Sequence, residues 1–311
     1  MSLAPVAGLA PNAFAKTSGE SGGGLFRWFR VPSVGQIAVI EFDGAIYDSR
    51  YYNRLIHKYN SNPFIKVLVL RIDSPGGEVG PVQEIVGELK KFRDSGRPVV
   101  ASLAGVAASG GYYLAAATDR IVSNPGTLTG SIGVIMEFPD AENLLKKIGV
   151  KFVVVKSGRF KDTGSFARAM TEEELAQLRR TVDDVYDQFV DEVWEGRREA
   201  IKEAVARERG VPVSKVPARE ARQFLRDIAD GRVMSGREAR EAGLVDEMGG
   251  FDDALDTAMR LGGLHGRPII VSEKRRREAG WADLLGSWFL GSEPQVSRLA
   301  RNRVSLQYML H

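Results

Sequence analysis

The run PVVASL at Pro98–Leu103 passes directly into AGVAASGGYYLAAA at Ala104–Ala117. The first part is short and mostly apolar, the pattern of a strand buried on both faces of a parallel sheet. The second is built from alanine and glycine around Ser109-Gly110-Gly111, and it ends in small residues that suit a helix. A strand that turns at glycine into a helix is a repeating joint of α/β domains.

The same joint recurs upstream. Lys66–Ile72 (KVLVLRI) reads as a second strand and runs into Asp73-Ser74-Pro75-Gly76-Gly77. Gln36–Phe42 (QIAVIEF) reads as a third. Val79–Ser95 places Val82, Ile85, Val86 and Leu89 at helical spacing. Downstream, Lys151–Val155 (KFVVV) reads as a fourth strand. Strands alternating with helices predict βαβ units around a parallel sheet.

Beyond residue 170 the pattern becomes helical. Thr171 and Glu174 have the spacing of a capping box. Leu175, Leu178, Val182, Val185, Phe189 and Val193 then form one apolar stripe. Residues 196–230 are strongly charged, and Gly210, Pro212 and Pro217 divide them into two helices around a loop. Residues 232–262 read as a helix, a short strand at Leu244–Asp246, a glycine turn and a further helix; Pro268–Val271 reads as one more strand.

Composition narrows the function. The 311 residues are 43% hydrophobic and 27% charged, the balance of an ordinary globular chain. The net charge of +3 is too small for an electrostatic nucleic-acid footprint, so no nucleic-acid partner is expected. There is no cysteine, which excludes disulfides, thiolate metal sites and a cysteine nucleophile. No apolar run reaches the ~18 residues a transmembrane helix needs. Residues 1–34, rich in Gly, Ser, Ala and Pro at the start, read as a flexible leader. They end in Leu25–Arg30 (LFRWFR), read as a segment docking on the domain, with membrane-surface contact as the alternative. The tail, residues 266–311, holds a basic run at Lys274–Arg277 and an apolar helical face at Trp281–Leu290, expected to dock on this chain or a neighbouring copy, with a membrane surface as the alternative.

Three glycine-rich segments carry the candidate chemistry: Asp73–Gly77, Ala104–Ala117 and Thr127–Gly133 (TLTGSIG). Ser109 precedes Gly110-Gly111 at a helix start, where it serves either as an N-cap or as a nucleophile. A serine nucleophile needs a base. The three histidines are His57 in a polar stretch, His265 in a glycine-rich loop and His311. None has neighbours that suggest a triad, which leaves lysine as the partner type. Lys161, in Ser157–Asp162 (SGRFKD), follows the KFVVV strand and so is expected at the same sheet end as Ser109.

The runs SPGG, ASGGYYLAAATDRIVSNPGTLTGSIGVIM, KSGRFKD and GRVMSGREAREAGLVDEMGG, in this order, resemble the bacterial signal peptide peptidase family, the protease IV-like serine peptidases. The resemblance covers about residues 35–265. It implies an α/β core of the Clp-protease/crotonase-like class, built of repeated ββα units with a helical extension and assembled into a ring-shaped homo-oligomer. By the same resemblance Ser109 is the nucleophile, Lys161 the general base and Ser131 the residue that orients it. Gly110 and the Gly76-Gly77 turn supply the oxyanion hole, with Gly76 the favoured donor of that turn. No metal or cofactor is implied, and the substrates are hydrophobic peptides such as signal-peptide remnants or unfolded and membrane-derived segments. Many family members carry an N-terminal membrane anchor, which no run of this sequence matches. Residues Arg197–Arg222 form a longer charged segment than the family's. Two other readings remain on the same fold class: a crotonase-type acyl-CoA enzyme, which needs an oxyanion hole but no Ser109–Lys161 pair, and a non-catalytic scaffold.

Overall fold

The computed structural model describes residues 35–273 and 307–309. The basic run at Lys274–Arg277, the face at Trp281–Leu290, the leader and His311 lie outside them.

The described residues open with β1 (Gln36–Asp43), α1 (Arg50–Asn60) and β2 (Ile65–Ser74). A short β3 (Gly76–Glu78) leads into α2 (Val79–Asp94) and the long β4 (Val99–Ala108). Then come α3 (Gly110–Ala116), β5 (Arg120–Ser123) and β6 (Leu128–Gly130). A helical stretch follows with α4 (Glu142–Ile148), α5 (Glu172–Arg209) and α6 (Ala218–Ile228). The remainder is β7 (Val233–Ser235), α7 (Gly236–Glu241), β8 (Glu247–Met248), α8 (Phe251–Leu261), β9 (Ile269–Ser272) and β10 (Gln307–Met309).

Eight strands form one sheet along the path β7-β6-β4-β2-β1-β9, with β5 and β8 branching from β4. All pairings in it are parallel except β6 with β7. The near-continuous apolar strands are explained by burial on both faces. Successive side chains point to opposite sides, so Ala38, Ile40, Phe42, Leu68, Leu70 and Ile72 join the larger core under α1, α2, α3 and α5. Ile37, Val39, Val67, Val69 and Val100 pack on the other face against Ala254 and Ala258 of α8. The α/β class read from the sequence is the class observed.

Strand β4 positions the rest. Its first half pairs with β5, from Val100↔Arg120 to Leu103↔Ser123. Its last three residues pair instead with β6, from Val106↔Leu128 to Ala108↔Gly130. Thr127 and Thr129 fasten that second pairing, their buried hydroxyls donating to the Ala104 and Ala107 carbonyls at 2.6 and 2.7 Å.

The capping box forms: Thr171 Oγ1 accepts from the Glu174 N–H, and the Glu174 carboxylate accepts from the Thr171 N–H. The helix it opens runs 38 residues and stops at Gly210, whose φ of 62° is the left-handed C-terminal turn. Its apolar stripe is half-buried at Leu175, Leu178 and Val182 and buried at Val185, Phe189 and Val193. Gly196 lets this helix touch the end of α3; a Cβ there would lie 1.9 Å from the Ala116 carbonyl oxygen.

Two strand expectations need correction. Lys151–Val155 is not a strand; Val153 and Val155 are 90% and 96% exposed. A strand needs an open sheet edge to pair its backbone, and among the described residues none pairs with this run. The strand expected at Leu244–Asp246 lies three residues later, as β8. Leu244 and Val245 instead close α7, both N–H groups donating to the Ala239 carbonyl, with their side chains fully buried.

That closing turn carries a buried ion pair. The Arg197 guanidinium, on α5, meets both oxygens of Asp246 at 2.7 and 2.8 Å and is 3% exposed. Asp246 also accepts the Ile121 N–H of β5 at 2.7 Å. Removing one member leaves the other charge buried alone. Asp246→Asn is therefore expected to lower unfolding stability by about 3–5 kcal/mol, read by urea denaturation.

Candidate active site

Three parallel strands end together at the carboxyl edge of the sheet, the place where open α/β folds build sites. β2 ends at Ser74, β4 at Ala108 and β6 at Gly130, with Ser74 opposite Ala107 and Ala108 opposite Gly130. The next residues are the Pro75-Gly76-Gly77 turn, Ser109 and Ser131.

Ser109 is 1% exposed and has φ 52°, ψ −116°. Its backbone is fixed on both sides: its N–H donates to the Gly130 carbonyl, and its carbonyl accepts from the Tyr113 N–H, each at 2.8 Å. The side chain makes no capping bond to α3, which removes the N-cap reading. Oγ has no hydrogen-bond partner among the described residues. A buried hydroxyl without a partner costs about 1–3 kcal/mol, and a non-glycine residue in this region of φ costs a similar amount. Ser131 is the other non-glycine residue with positive φ among those described, at 49°. It is buried, and its N–H donates to the Arg232 carbonyl at 2.8 Å.

The glycine turn lies directly against this corner. A Cβ on Gly110 would stand 3.2 Å from Gly76 Cα and 3.2 Å from the Gly77 nitrogen. A Cβ on Gly77 would fall 2.0 Å from the Ile46 carbonyl oxygen. The two backbones meet because neither carries a side chain. The Gly76 N–H donates to Ser74 Oγ at 3.1 Å. Ser109, Ser131, Gly110 and Gly76-Gly77 are thus brought together.

Among the described residues Lys161 makes no hydrogen bond to any of them. It is exposed, in a turn where its N–H donates to the Gly158 carbonyl at 3.1 Å. The strand expected at Lys151–Val155, whose end would carry Lys161 to the sheet edge, is absent. Ion pairs on the start of α5 hold its segment. Asp162 binds Lys156 and Arg168 at 2.5 and 2.9 Å, and these cations hold its carboxyl far below the usual carboxylate range. Arg168 also grips Glu174 at 2.5 and 2.8 Å and, with the Thr171 N–H, lowers its pKa to about 2. Leu144, Ile148, Phe152, Val153, Val154 and Val155 are exposed along this same segment.

His57 faces Glu88 on the outer side of α1, and His265 is exposed in the turn after α8, so neither serves Ser109. No cluster of His, Asp or Glu among the described residues has the form of a metal site. No helix among them is long and apolar enough to cross a membrane.

Sequence reasoning missed Arg197. It sits four residues beyond Val193 in line with the apolar stripe, and a charge in a buried register was the available signal. It reaches the site through the Leu244–Asp246 turn, whose Leu244 carbonyl accepts the buried Tyr112 hydroxyl of α3 at 2.8 Å.

If the Ser109 backbone is strained as its angles indicate, glycine should relieve it. Ser109→Gly is expected to gain about 1 kcal/mol of stability, a melting midpoint higher by roughly 2–4 °C in calorimetry. Ser109→Ala keeps the Cβ and should show no such gain.

Residues 91–265, more than half of the chain, match the model of peptidase family S49. A Synechocystis relative is 42% identical over 197 residues, 63% of each chain. Protease 4 of Salmonella typhi is 33% identical over 236 residues, 73% of this chain and 35% of that protein. The chloroplastic serine protease SPPA of Arabidopsis thaliana is 31% identical over 239 residues, 75% of this chain and 32% of its own length. This chain spans less than two thirds of each of these relatives.

Proposed function

Because the chain belongs to peptidase family S49, with the Clp-protease/crotonase-like α/β core that goes with it, we propose that it is a serine endopeptidase in which Ser109 attacks and Lys161 is the base. One observation carries the reading: a buried serine held at positive φ, with no capping bond and no partner for Oγ, against a glycine turn. Strain of this kind persists where the surrounding structure enforces it for use. A crotonase-type enzyme would give Ser109 no task, and a scaffold would gain stability by losing it.

The chemistry follows from the residues. Ser109 Oγ bonds to a peptide carbonyl carbon while its proton passes to the neutral Lys161 amine. The carbonyl oxygen takes the negative charge and is met by preorganised N–H groups, worth about 3–4 kcal/mol per donor in comparable sites. The Gly110 N–H is one donor. The Gly76-Gly77 turn supplies the second donor; in this structure the Gly76 N–H rests on Ser74 Oγ and Gly77 is paired with Tyr308 of β10. Lys161 then protonates the leaving amine, and a water activated in the same way frees the acyl group. In this reading Ser131, one residue beyond the Gly130 that anchors Ser109, orients the lysine. Hydrophobic peptides, including signal-peptide remnants and membrane-derived segments, are the proposed substrates.

Lys161 must still reach Ser109. The exposed apolar run on its segment supports a homo-oligomer in which a neighbouring copy covers that run and the lysine-bearing loop settles at an active site. A ring is the closed form such contacts take.

Labelling with a fluorophosphonate probe tests the nucleophile and base together. Wild type should label, and Ser109→Ala and Lys161→Ala should not; full labelling of Ser109→Ala would overturn the assignment. Because a lysine base works only as the free amine, peptide hydrolysis should rise toward alkaline pH. A profile flat from neutral to alkaline pH speaks against lysine. For assembly, Val153→Asp with Val155→Asp should dissociate the oligomer in light scattering and lower labelling at least tenfold; an unchanged mass with unchanged labelling refutes the contact.

A further inference from the structure

Ser74 ends β2 and is fully buried. It pairs with Ala107, two residues before Ser109. A Cβ on Gly111 would stand 2.8 Å from the Ser74 carbonyl oxygen, so its main chain is pressed against the start of α3. Its hydroxyl grips both ends of Gly76. Oγ accepts the Gly76 N–H at 3.1 Å and donates to the Gly76 carbonyl at 3.4 Å. Pro75 has no N–H, so Gly76 carries the first amide of the turn that a side chain can hold. The opposite side of the turn is held by main chain. The Ile46 N–H donates to the Gly76 carbonyl, and the Ile46 carbonyl accepts the Glu78 N–H, each at 2.8 Å. Ile46 is itself fixed. Its side chain lies in the larger core, and the nearby Gly44 N–H donates to the Asp73 carbonyl at 2.9 Å.

Gly76 needs this grip. Its φ of 109° is open to glycine, and glycine has many other angles within reach. The Gly76-Gly77 peptide is trans and planar, so its carbonyl and its N–H point opposite ways. Holding the Gly76 carbonyl therefore sets the direction of the N–H at the other end of the plane. That nitrogen lies 3.2 Å from where a Gly110 Cβ would be, at the Ser109 corner. We propose that Ser74 is a positioning residue for the oxyanion hole: its hydroxyl, acting with the Ile46 main chain, locks the Gly76-Gly77 peptide so that the turn meets the developing charge without reorganising. The proposal rests on the reading of Ser109 as a peptidase nucleophile. Donors of this kind owe their effect to being fixed before the charge appears. A glycine turn cannot fix itself, and Ser74 is the side chain that does so.

The test uses two esters of one hydrophobic peptide acid, alike except that the scissile C=O is C=S in the second. Sulfur is a larger and weaker acceptor and gains little from an oxyanion hole. The oxo-to-thiono ratio of kcat/KM therefore reads the hydrogen bonds made there. Both rates come from one sample, so the ratio does not depend on how much of the chain is folded. In Ser74→Ala the ratio should fall about tenfold, through an oxo-ester kcat lowered about tenfold at unchanged KM. Ser74→Cys, close in size but a weaker donor and acceptor, should lower it as well. Ser74→Thr keeps the hydroxyl and should hold the wild-type ratio. So should Ser102→Ala, which removes a buried hydroxyl of β4 that accepts from Arg71 at 2.9 Å. An unchanged ratio in both Ser74→Ala and Ser74→Cys, with Ser109 still reacting with fluorophosphonate, would overturn the role of Ser74 and leave the peptidase reading standing. A raised ratio would overturn it too, since Ser74 would then be withholding the Gly76 N–H from the substrate. An equal fall in Ser102→Ala would do the same by reducing Ser74 to packing. No hydrolysis of either ester and no Ser109 labelling in the wild type would overturn the peptidase reading and this proposal with it.

Discussion

At the carboxyl edge of the sheet two stretches of main chain lie closer than side chains permit. A Cβ on Gly110 would stand only 3.2 Å from the Gly76-Gly77 turn, and one on Gly77 would fall 2.0 Å from the Ile46 carbonyl oxygen. This contact brings three strand ends to one point. It leaves the Ser109 turn only a narrow set of backbone angles, and the positive φ of that serine is its local consequence. The glycines supply the reach, since they alone lack the atom that would hold the turns apart.

A corner this tight needs support from outside. The helix that leaves Ser109 is seven residues long, well under the length at which a helix is stable by itself. Its stability comes from its surroundings. Tyr112 donates to the Leu244 carbonyl, Tyr113 packs on Phe189 with ring centroids 4.9 Å apart, and Gly196 admits the Ala116 carbonyl. The Arg197–Asp246 pair then ties α5, β5 and the Leu244 turn into one block. Rigidity at the serine is thus imposed from α5 and the loop after α7, both distant in sequence.

Local rules explain which features were legible. Thr171 and Glu174 cap their helix because the two groups sit three residues apart whatever else the chain does. The strands through Gln36, Lys66 and Pro98 form because their apolar side chains feed two cores at once. Lys151–Val155 has the same composition but no edge to pair with, and its side chains stay in solvent. Leu244–Asp246 looked like a strand for its apolar pair, yet those side chains fill the core as a turn while Asp246 turns back to Arg197. In both cases composition recorded hydrophobicity and left the partner unstated.

From the sequence alone came the α/β class, the helix boundaries at Thr171 and Gly210, and the glycine-flanked Ser109 and Ser131 as the residues to examine. Those rest on near-neighbour chemistry, which is written in the order of residues. Tertiary structure alone decided that Ser109 is strained and uncapped, that Lys161 lies on an exposed turn with no strand before it, and that residues 307–309 lie along Gly77. Each of these depends on groups dozens to hundreds of residues apart, or on which backbone edge is already occupied, and only the folded chain fixes such distances.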